Sequence, residues 1–295
     1  MHYNVINILA NNNILSSDAV IDYIQLLMLG AIAGFTIFLG FPIALMRAGQ
    51  RVKAFLNALA IGILIFLVVD VFSHAWDTTT NAVISSLGGK TPLIDGVSLI
   101  VTMFTGVAVG LIGLALYERR FMKATAKTEA KLENEMAGKD ALHVNRLKLA
   151  TMIAIGIGAH NFSEGLAIGQ SYAAGVIGLA LILVIGFGLH NATEGFGILG
   201  PLQGSDKRPP LLTLIKLGLI GGGPTFLGTL VGSIWVSQIL YVAFLAFAGG
   251  ALIFVILLMY SVAIKQTTST TVMTGILIGL LFGFFTDLIV SLGGA

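Results

Sequence analysis

The chain has 295 residues, of which 56% are hydrophobic and only 10% are charged, whereas an ordinary soluble domain carries roughly a quarter charged residues. A soluble fold cannot cover so much apolar surface, so the composition excludes a cytosolic enzyme and a disordered chain. The net charge of +2 offers nucleic acid no basic field, and the lack of cysteine excludes disulfides and thiolate metal sites. We therefore expect an all-α integral membrane protein, with the lipid bilayer as its first partner.

Eight stretches of the chain are long and apolar enough to cross a bilayer as helices. They lie at residues 19–46, 54–76, 96–117, 148–173, 175–199, 212–235, 239–264 and 271–294. None shows the short alternating pattern of a barrel strand. Residues 19–295 then form a single eight-helix transmembrane domain. It follows a polar extracytoplasmic tail, residues 1–18, which lacks the basic start and the cleavage site of a secretory signal.

The basic residues predict the orientation of these spans. Of 16 Lys and Arg residues, 15 fall in the odd-numbered connections, and only Lys90 falls in an even-numbered one. Positive residues favour the cytoplasmic side, so the odd connections are predicted to be cytoplasmic and both termini extracytoplasmic. The one long connection, residues 118–147, is interpreted as a charged cytoplasmic loop. We expect a multi-pass protein of the cell (plasma) membrane.

The fourth and fifth spans each contain one copy of a polar hexad. His160–Gly165 reads HNFSEG, and His190–Gly195 reads HNATEG. An ionisable residue inside a membrane costs roughly 2.5–3.5 kcal/mol, so it indicates a functional site. The first, second and fifth positions of a hexad share one helix face. Two such faces could enclose one Zn²⁺, Fe²⁺ or Mn²⁺ ion. The candidate metal ligands are His160, Glu164, His190 and Glu194, and the second position of each hexad adds an amide oxygen to the same face.

Other polar residues within the spans suggest a path to that site. Asp70 and His74 lie one turn apart in the second span, and Asp287 lies in the outer half of the eighth. Together they could form an outer funnel that concentrates cations, or they could make ordinary polar contacts between helices. In the sixth span, Gly223 and Pro224 end a glycine run that should weaken or kink the helix.

The paired hexads, eight spans, outward termini and long third loop resemble the bacterial-type branch of the ZIP (Zrt/Irt-like protein) family of divalent-metal transporters. The resemblance implies a 3+2+3 bundle, in which a pseudo-two-fold axis relates the first and last three helices. It also implies metal uptake into the cytoplasm by alternating access, and a possible homodimer. Carried over by motif, the resemblance implies a metal site of His160, Asn161, Glu164, His190, Asn191 and Glu194, in which the two asparagines are weak or transient ligands.

The sequence departs from that family at two carboxylates. Many bacterial-type members have a Glu before the proline of the sixth span, where this chain has Gly223. Some have a second carboxylate in the fifth span, where this chain has Asn191. These losses predict a mononuclear site. Without metal its two carboxylates would repel each other, so binding should release protons and make uptake sensitive to pH.

Two other functions use the same ligands. An integral-membrane metalloenzyme, such as a lipid hydrolase or hydroxylase, also buries His and acid side chains in helices. A metal-selective channel or exporter would need the same site. The chain has neither a His-Glu-x-x-His pair nor a nucleophile elbow, so we expect no enzyme and no prosthetic group. The divalent metal ion is then the transported substrate.

Overall fold

The computed structural model describes residues 22–45, 49–120, 138–202, 208–234 and 237–294. The predicted polar tail, residues 1–18, and residues 121–137 of the predicted loop lie outside these ranges. Within them the chain forms long helices and no strand. In chain order the helices are α1 (Tyr23–Leu45), α2 (Gln50–Leu87), α3 (Leu93–Arg120), α4 (Gly138–Ala173), α5 (Ile177–Leu199), α6 (Leu211–Ile234), α7 (Gln238–Ala263) and α8 (Ser269–Gly294).

Two of these helices contain local irregularities. A turn at Thr36 divides α1 into Tyr23–Phe35 and Ile37–Leu45. In α3, the segment Val109–Gly113 is a π-helical turn. Such departures from α-helical geometry within a span need nearby groups to satisfy the freed backbone atoms.

Helix α2 extends well past the end predicted for the second span at residue 76. It continues to Leu87, and two threonine hydroxyls of the added segment bond within the helix. The Thr79 hydroxyl donates to the Ala75 carbonyl at 2.8 Å, and the Thr80 hydroxyl donates to the Trp76 carbonyl at 2.9 Å. Threonine often bonds to the carbonyl one turn earlier, so a polar run need not end a helix.

Among the described residues, seven helices are long and apolar enough to cross a membrane, namely α1, α2, α3, α5, α6, α7 and α8. Large apolar side chains such as Leu39, which is 64% exposed, lie on their outer faces. Exposed apolar surface of this extent is typical of contact with lipid, so the chain is a multi-pass membrane protein. The prediction of eight spans is confirmed for seven. The remaining helix, α4, carries the polar hexad at His160, which lowers its mean hydropathy.

The helices pack in pairs that repeat across the molecule. Helix α4 packs along α6 as α5 packs along α1, and α2 packs along α8 as α3 packs along α7. Helices α1 and α6 pack on each other. The pairs are related by a single correspondence of helices, in which α1 matches α6, α2 matches α7, α3 matches α8 and α4 matches α5. Under this correspondence each packed pair becomes another packed pair or itself. A 3+2+3 arrangement with a two-fold axis requires this pairing.

Close glycine contacts show the same repeat residue by residue. At the crossing of α1 and α6, a Cβ added to Gly34 would overlap the carbonyl of Gly222, and one added to Gly222 would overlap the carbonyl of Gly34. Two further pairs of contacts correspond in the two halves, each with a glycine against a carbonyl. Gly40 lies against Ala192 as Gly228 lies against Phe162. Gly62 lies against Ile276 as Gly250 lies against Val107. Glycine allows helix backbones to approach this closely. The two halves are therefore built around matching contacts.

Candidate metal centre

The two hexads meet where α4 packs on α5. A short turn joins the two helices, and Gly175 within it has φ of 75°, a left-handed conformation that suits glycine. The ring centroids of His160 and His190 are 6.2 Å apart. All six predicted ligands are buried, and the most exposed of them, His190, is only 6% exposed. The structure thus brings the two sequence motifs together inside the bundle.

One carboxylate oxygen is the meeting point of both imidazoles. Nε2 of His160 lies 2.9 Å from Oε1 of Glu164, and Nε2 of His190 contacts the same oxygen. One ligand atom from each residue lies within 4.8 Å of the others. The approach of His160 is short but is not aligned as a hydrogen bond, and Oε2 of Glu164 has no hydrogen-bond partner among the described residues. Buried polar atoms are normally paired, so this convergence is a group that could hold a metal ion.

Glu194 lies outside that group although its hexad is equivalent to that of Glu164. Its Oε2 accepts a hydrogen bond of 3.1 Å from Nδ2 of Asn161. Its Oε1 has no partner in the described part of the chain. The predicted set of two imidazoles and two carboxylates therefore appears as three converging residues, with the fourth held beside them by an amide.

The two hexad asparagines make equivalent bonds in the two halves. Nδ2 of Asn161 donates to the carbonyl of Gly221 in α6, and Nδ2 of Asn191 donates to the carbonyl of Ala33 in α1, each at 3.0 Å. Their Oδ1 atoms have no hydrogen-bond partners among the described residues. Each amide thus ties a hexad helix to a neighbouring backbone while its oxygen is still available. Their role as metal ligands stays a prediction.

The backbone hydrogen bonding of α1 and α6 departs from the usual helical pattern next to these bonds. Pro224 has no N–H, so the carbonyl of Ile220 lacks its usual helical donor, although α6 is continuous. A Cβ on Gly158 of α4 would overlap that carbonyl. In α1, the Thr36 hydroxyl donates at 2.6 Å to the carbonyl of Ala33. The sequence predicts the weak point in α6, but it gives only Thr36 as a hint of the one in α1.

The hydroxyls inside the hexads are satisfied locally. Ser163 donates to the carbonyl of His160 at 2.6 Å, and Thr193 donates to the carbonyl of His190 at 2.7 Å. These bonds return to the helix three residues earlier. Neither hydroxyl is needed as a metal ligand.

The residues of the predicted outer funnel lie apart from the three converging ligands. Nδ1 of His74 is 2.9 Å from the carbonyl of Asp70 and 3.4 Å from its Oδ1. His74 and Asp70 are partly exposed, and neither belongs to the group of three converging ligands. Asp287 lies on α8. The structure brings Asp70 and His74 together, and the funnel itself stays a prediction.

No family model matches the chain, and no curated protein matches it either. The chemistry of the centre is therefore argued from its own donor atoms. Imidazole nitrogens and carboxylate oxygens without thiolates suit divalent ions such as Zn²⁺, Fe²⁺ and Mn²⁺. Two nearby carboxylates would balance the charge of one such ion in a buried site.

Proposed function

We propose that this chain is a ZIP-type transporter that moves a divalent metal ion, of the Zn²⁺, Fe²⁺ or Mn²⁺ class, across the plasma membrane into the cytoplasm. The observation that carries the proposal is the carboxylate of Glu164 between His160 and His190, one imidazole from each half of a two-fold repeat. The identity of the family and the inward direction rest on the hexads and on the sequence resemblance.

The proposed mechanism replaces the water of a hydrated cation with protein ligands. A bare ion in a low-dielectric interior is very costly, so the site must supply both ligands and countercharge. Glu164 and Glu194 together neutralise a divalent ion, and His160 and His190 complete the ligand set. Glu194 joins the ligand set when its carboxylate gives up the hydrogen bond from Asn161 and binds the metal ion.

Alternating access is supported by the repeat. Many transporters bind their substrate at the interface of two inverted repeats, beside interrupted helices. Here the hexads lie beside the turn at Thr36 in α1 and beside Pro224 in α6, which removes one backbone donor. An open channel fits less well, because the converging ligands are buried on all sides.

We also propose that α4 is the eighth span. It has 36 residues, and at 1.5 Å per residue that length exceeds the roughly 30 Å of a hydrocarbon core. It packs along α6, which is apolar enough to span. With α4 crossing, the odd connections share one face, and the repeats related by the axis run in opposite directions. The basic residues then lie on the cytoplasmic side.

Reconstitution tests this function. Purified protein in liposomes containing a metal indicator should show saturable influx of Zn²⁺, Fe²⁺ or Mn²⁺. Glu164→Gln and His160→Ala should abolish it, while Asp95→Asn, an exposed acid at the start of α3, should not. Undiminished flux in both site variants would overturn the proposal. Flux without saturation would indicate a channel, and lipid turnover in detergent would indicate an enzyme.

A further inference from the structure

Asn57 is a buried amide in α2, outside the metal centre. Its side chain is 1% exposed, and neither Nδ2 nor Oδ1 has a hydrogen-bond partner among the described residues. Buried amides inside a membrane protein are normally paired, because no bulk water can satisfy them there. Both polar atoms of Asn57 are thus available to something that the helices themselves do not supply.

The end of α5 faces this amide. A Cβ on Gly200 would lie only 2.6 Å from Oδ1 of Asn57, so the amide fits here only because residue 200 is a glycine. Helix α2 packs on the short turn Gly200–Leu202 that follows α5. The last turn of a helix carries carbonyl oxygens with partial negative charge. Pro201 has no N–H, and the Gly197 carbonyl accepts from the N–H of Gly200 instead. An amide oxygen and a helix C-terminus together form an environment that attracts a cation.

Asn57 lies between the metal centre and the basic face of the bundle. Gly200 follows Glu194 by six residues in α5, which is about 9 Å along a helix axis. On the same side, α2 begins with Arg51 and Lys53, shortly before Asn57. A cation that leaves the centre toward the proposed cytoplasmic face passes this level of the bundle.

The repeat shows that the fold does not require an amide at this position. Since Gly62 and Gly250 make equivalent contacts, Asn57 in α2 corresponds to Leu245 in α7. Leu245 packs in an apolar cluster with Val71 and Leu99. The equivalent position therefore holds a leucine in one half, and the polar residue is specific to the half in which this position lies near the basic residues Arg51 and Lys53.

We propose that Asn57 marks a second cation-binding site. There its amide oxygen and the carbonyls at the end of α5 receive the hydrated divalent ion after it leaves the His/Glu centre. This inference rests on the proposed function. Neutral oxygen ligands hold a divalent ion more weakly than imidazoles and carboxylates do, which suits a site from which the ion is released.

A single introduced cysteine tests this second cation-binding site directly, because the native chain has no cysteine. Purified full-length Asn57→Cys should bind Cd²⁺ and develop the ultraviolet absorbance of a cadmium thiolate. The matched control, Leu245→Cys, should not, although its position is equivalent in the repeat. An absent band in Asn57→Cys, or equal bands in both variants of native helical content, would overturn the proposal.

A flux measurement separates this inference from the proposed function. In liposomes, Asn57→Leu should lower the maximal rate of Zn²⁺ influx about tenfold, with little change in the half-saturating concentration. Leu245→Asn should leave both values unchanged. If Glu164→Gln abolishes flux but Asn57→Leu does not slow it, the proposal of a second cation-binding site is wrong and the transport function stands. If the wild-type chain shows no flux, transport is wrong, and the cadmium band still decides whether position 57 binds a cation.

Discussion

The side-chain nitrogen of Asn161 donates a 3.1 Å hydrogen bond to Oε2 of Glu194, and so joins the second residue of one hexad to the fifth of the other. The carboxylate of the other hexad has a different partner from the opposite helix, because Glu164 contacts the ring of His190 and not an asparagine. Two nearly identical hexads therefore have unequal roles. One carboxylate lies among the imidazoles, and the other is held by an amide.

This inequality predicts a ranking of the two carboxylates in metal binding. Glu164→Gln removes the charge on which both imidazoles converge, and it should lower Zn²⁺ affinity by at least about 100-fold. Glu194→Gln should lower it only about tenfold, because that carboxylate joins after the others. Isothermal titration of the purified protein measures both affinities. Equal losses in the two variants would contradict the ranking.

The two hexad asparagines should differ in their contribution to stability. Asn161 donates two buried hydrogen bonds, to Glu194 and Gly221, whereas Asn191 donates one, to Ala33. A buried hydrogen bond contributes about 1 kcal/mol net, so Asn161→Ala should destabilise the protein by about that much more than Asn191→Ala. Thermal unfolding in detergent measures the difference. The exposed Asn81→Ala serves as a control, and a larger effect at Asn191 would contradict the assignment.

Two adjacent glycines of α6 should respond in opposite ways to alanine. A Cβ on Gly222 would overlap the carbonyl of Gly34, whereas a Cβ on Gly223 has nothing within 4 Å. Gly222→Ala should lower the melting temperature, because it separates α1 from α6. Gly223→Ala should maintain or raise it, since alanine favours a helix over glycine by about 0.8–1.0 kcal/mol. Equal shifts would refute the close crossing of α1 and α6.

The crossing of α4 can be measured by labelling single cysteines in intact cells. Ala174→Cys, in the turn after α4, should react with a membrane-impermeant maleimide from outside, as Lys90→Cys should. Lys265→Cys should react only after the cells are permeabilised. If α4 spans the membrane, position 174 lies on the face of Lys90, opposite the basic connections. Labelling of Ala174→Cys together with Lys265→Cys would show that α4 does not cross.

The sequence predicts the helical membrane fold and the location of the centre because both depend on local patterns. Long apolar runs identify spans whatever packs around them. A hexad that recurs in consecutive helices places His160 and His190 on facing helices. The low hydropathy that makes the hexad visible also removes α4 from the helices that qualify as spans by composition.

The parts that escaped prediction depend on partners distant in sequence. Nothing in the hexads says which carboxylate meets the imidazoles, since Asn161 selects Glu194 across the helix interface. The contact of Gly34 with Gly222 is likewise visible only once α1 and α6 are packed. Asn57 resembles any polar residue near a helix end until its burial is known.

X-ray absorption at the metal edge of the zinc-loaded protein tests the central claim most directly, since it reports the atoms around the ion. We predict a shell of nitrogen and oxygen ligands at about 2.0–2.1 Å that includes the scattering of two imidazoles. His160→Ala and His190→Ala should each remove one imidazole from that shell. A zinc shell without imidazole, or one unchanged in both variants, would contradict the assignment of the metal centre.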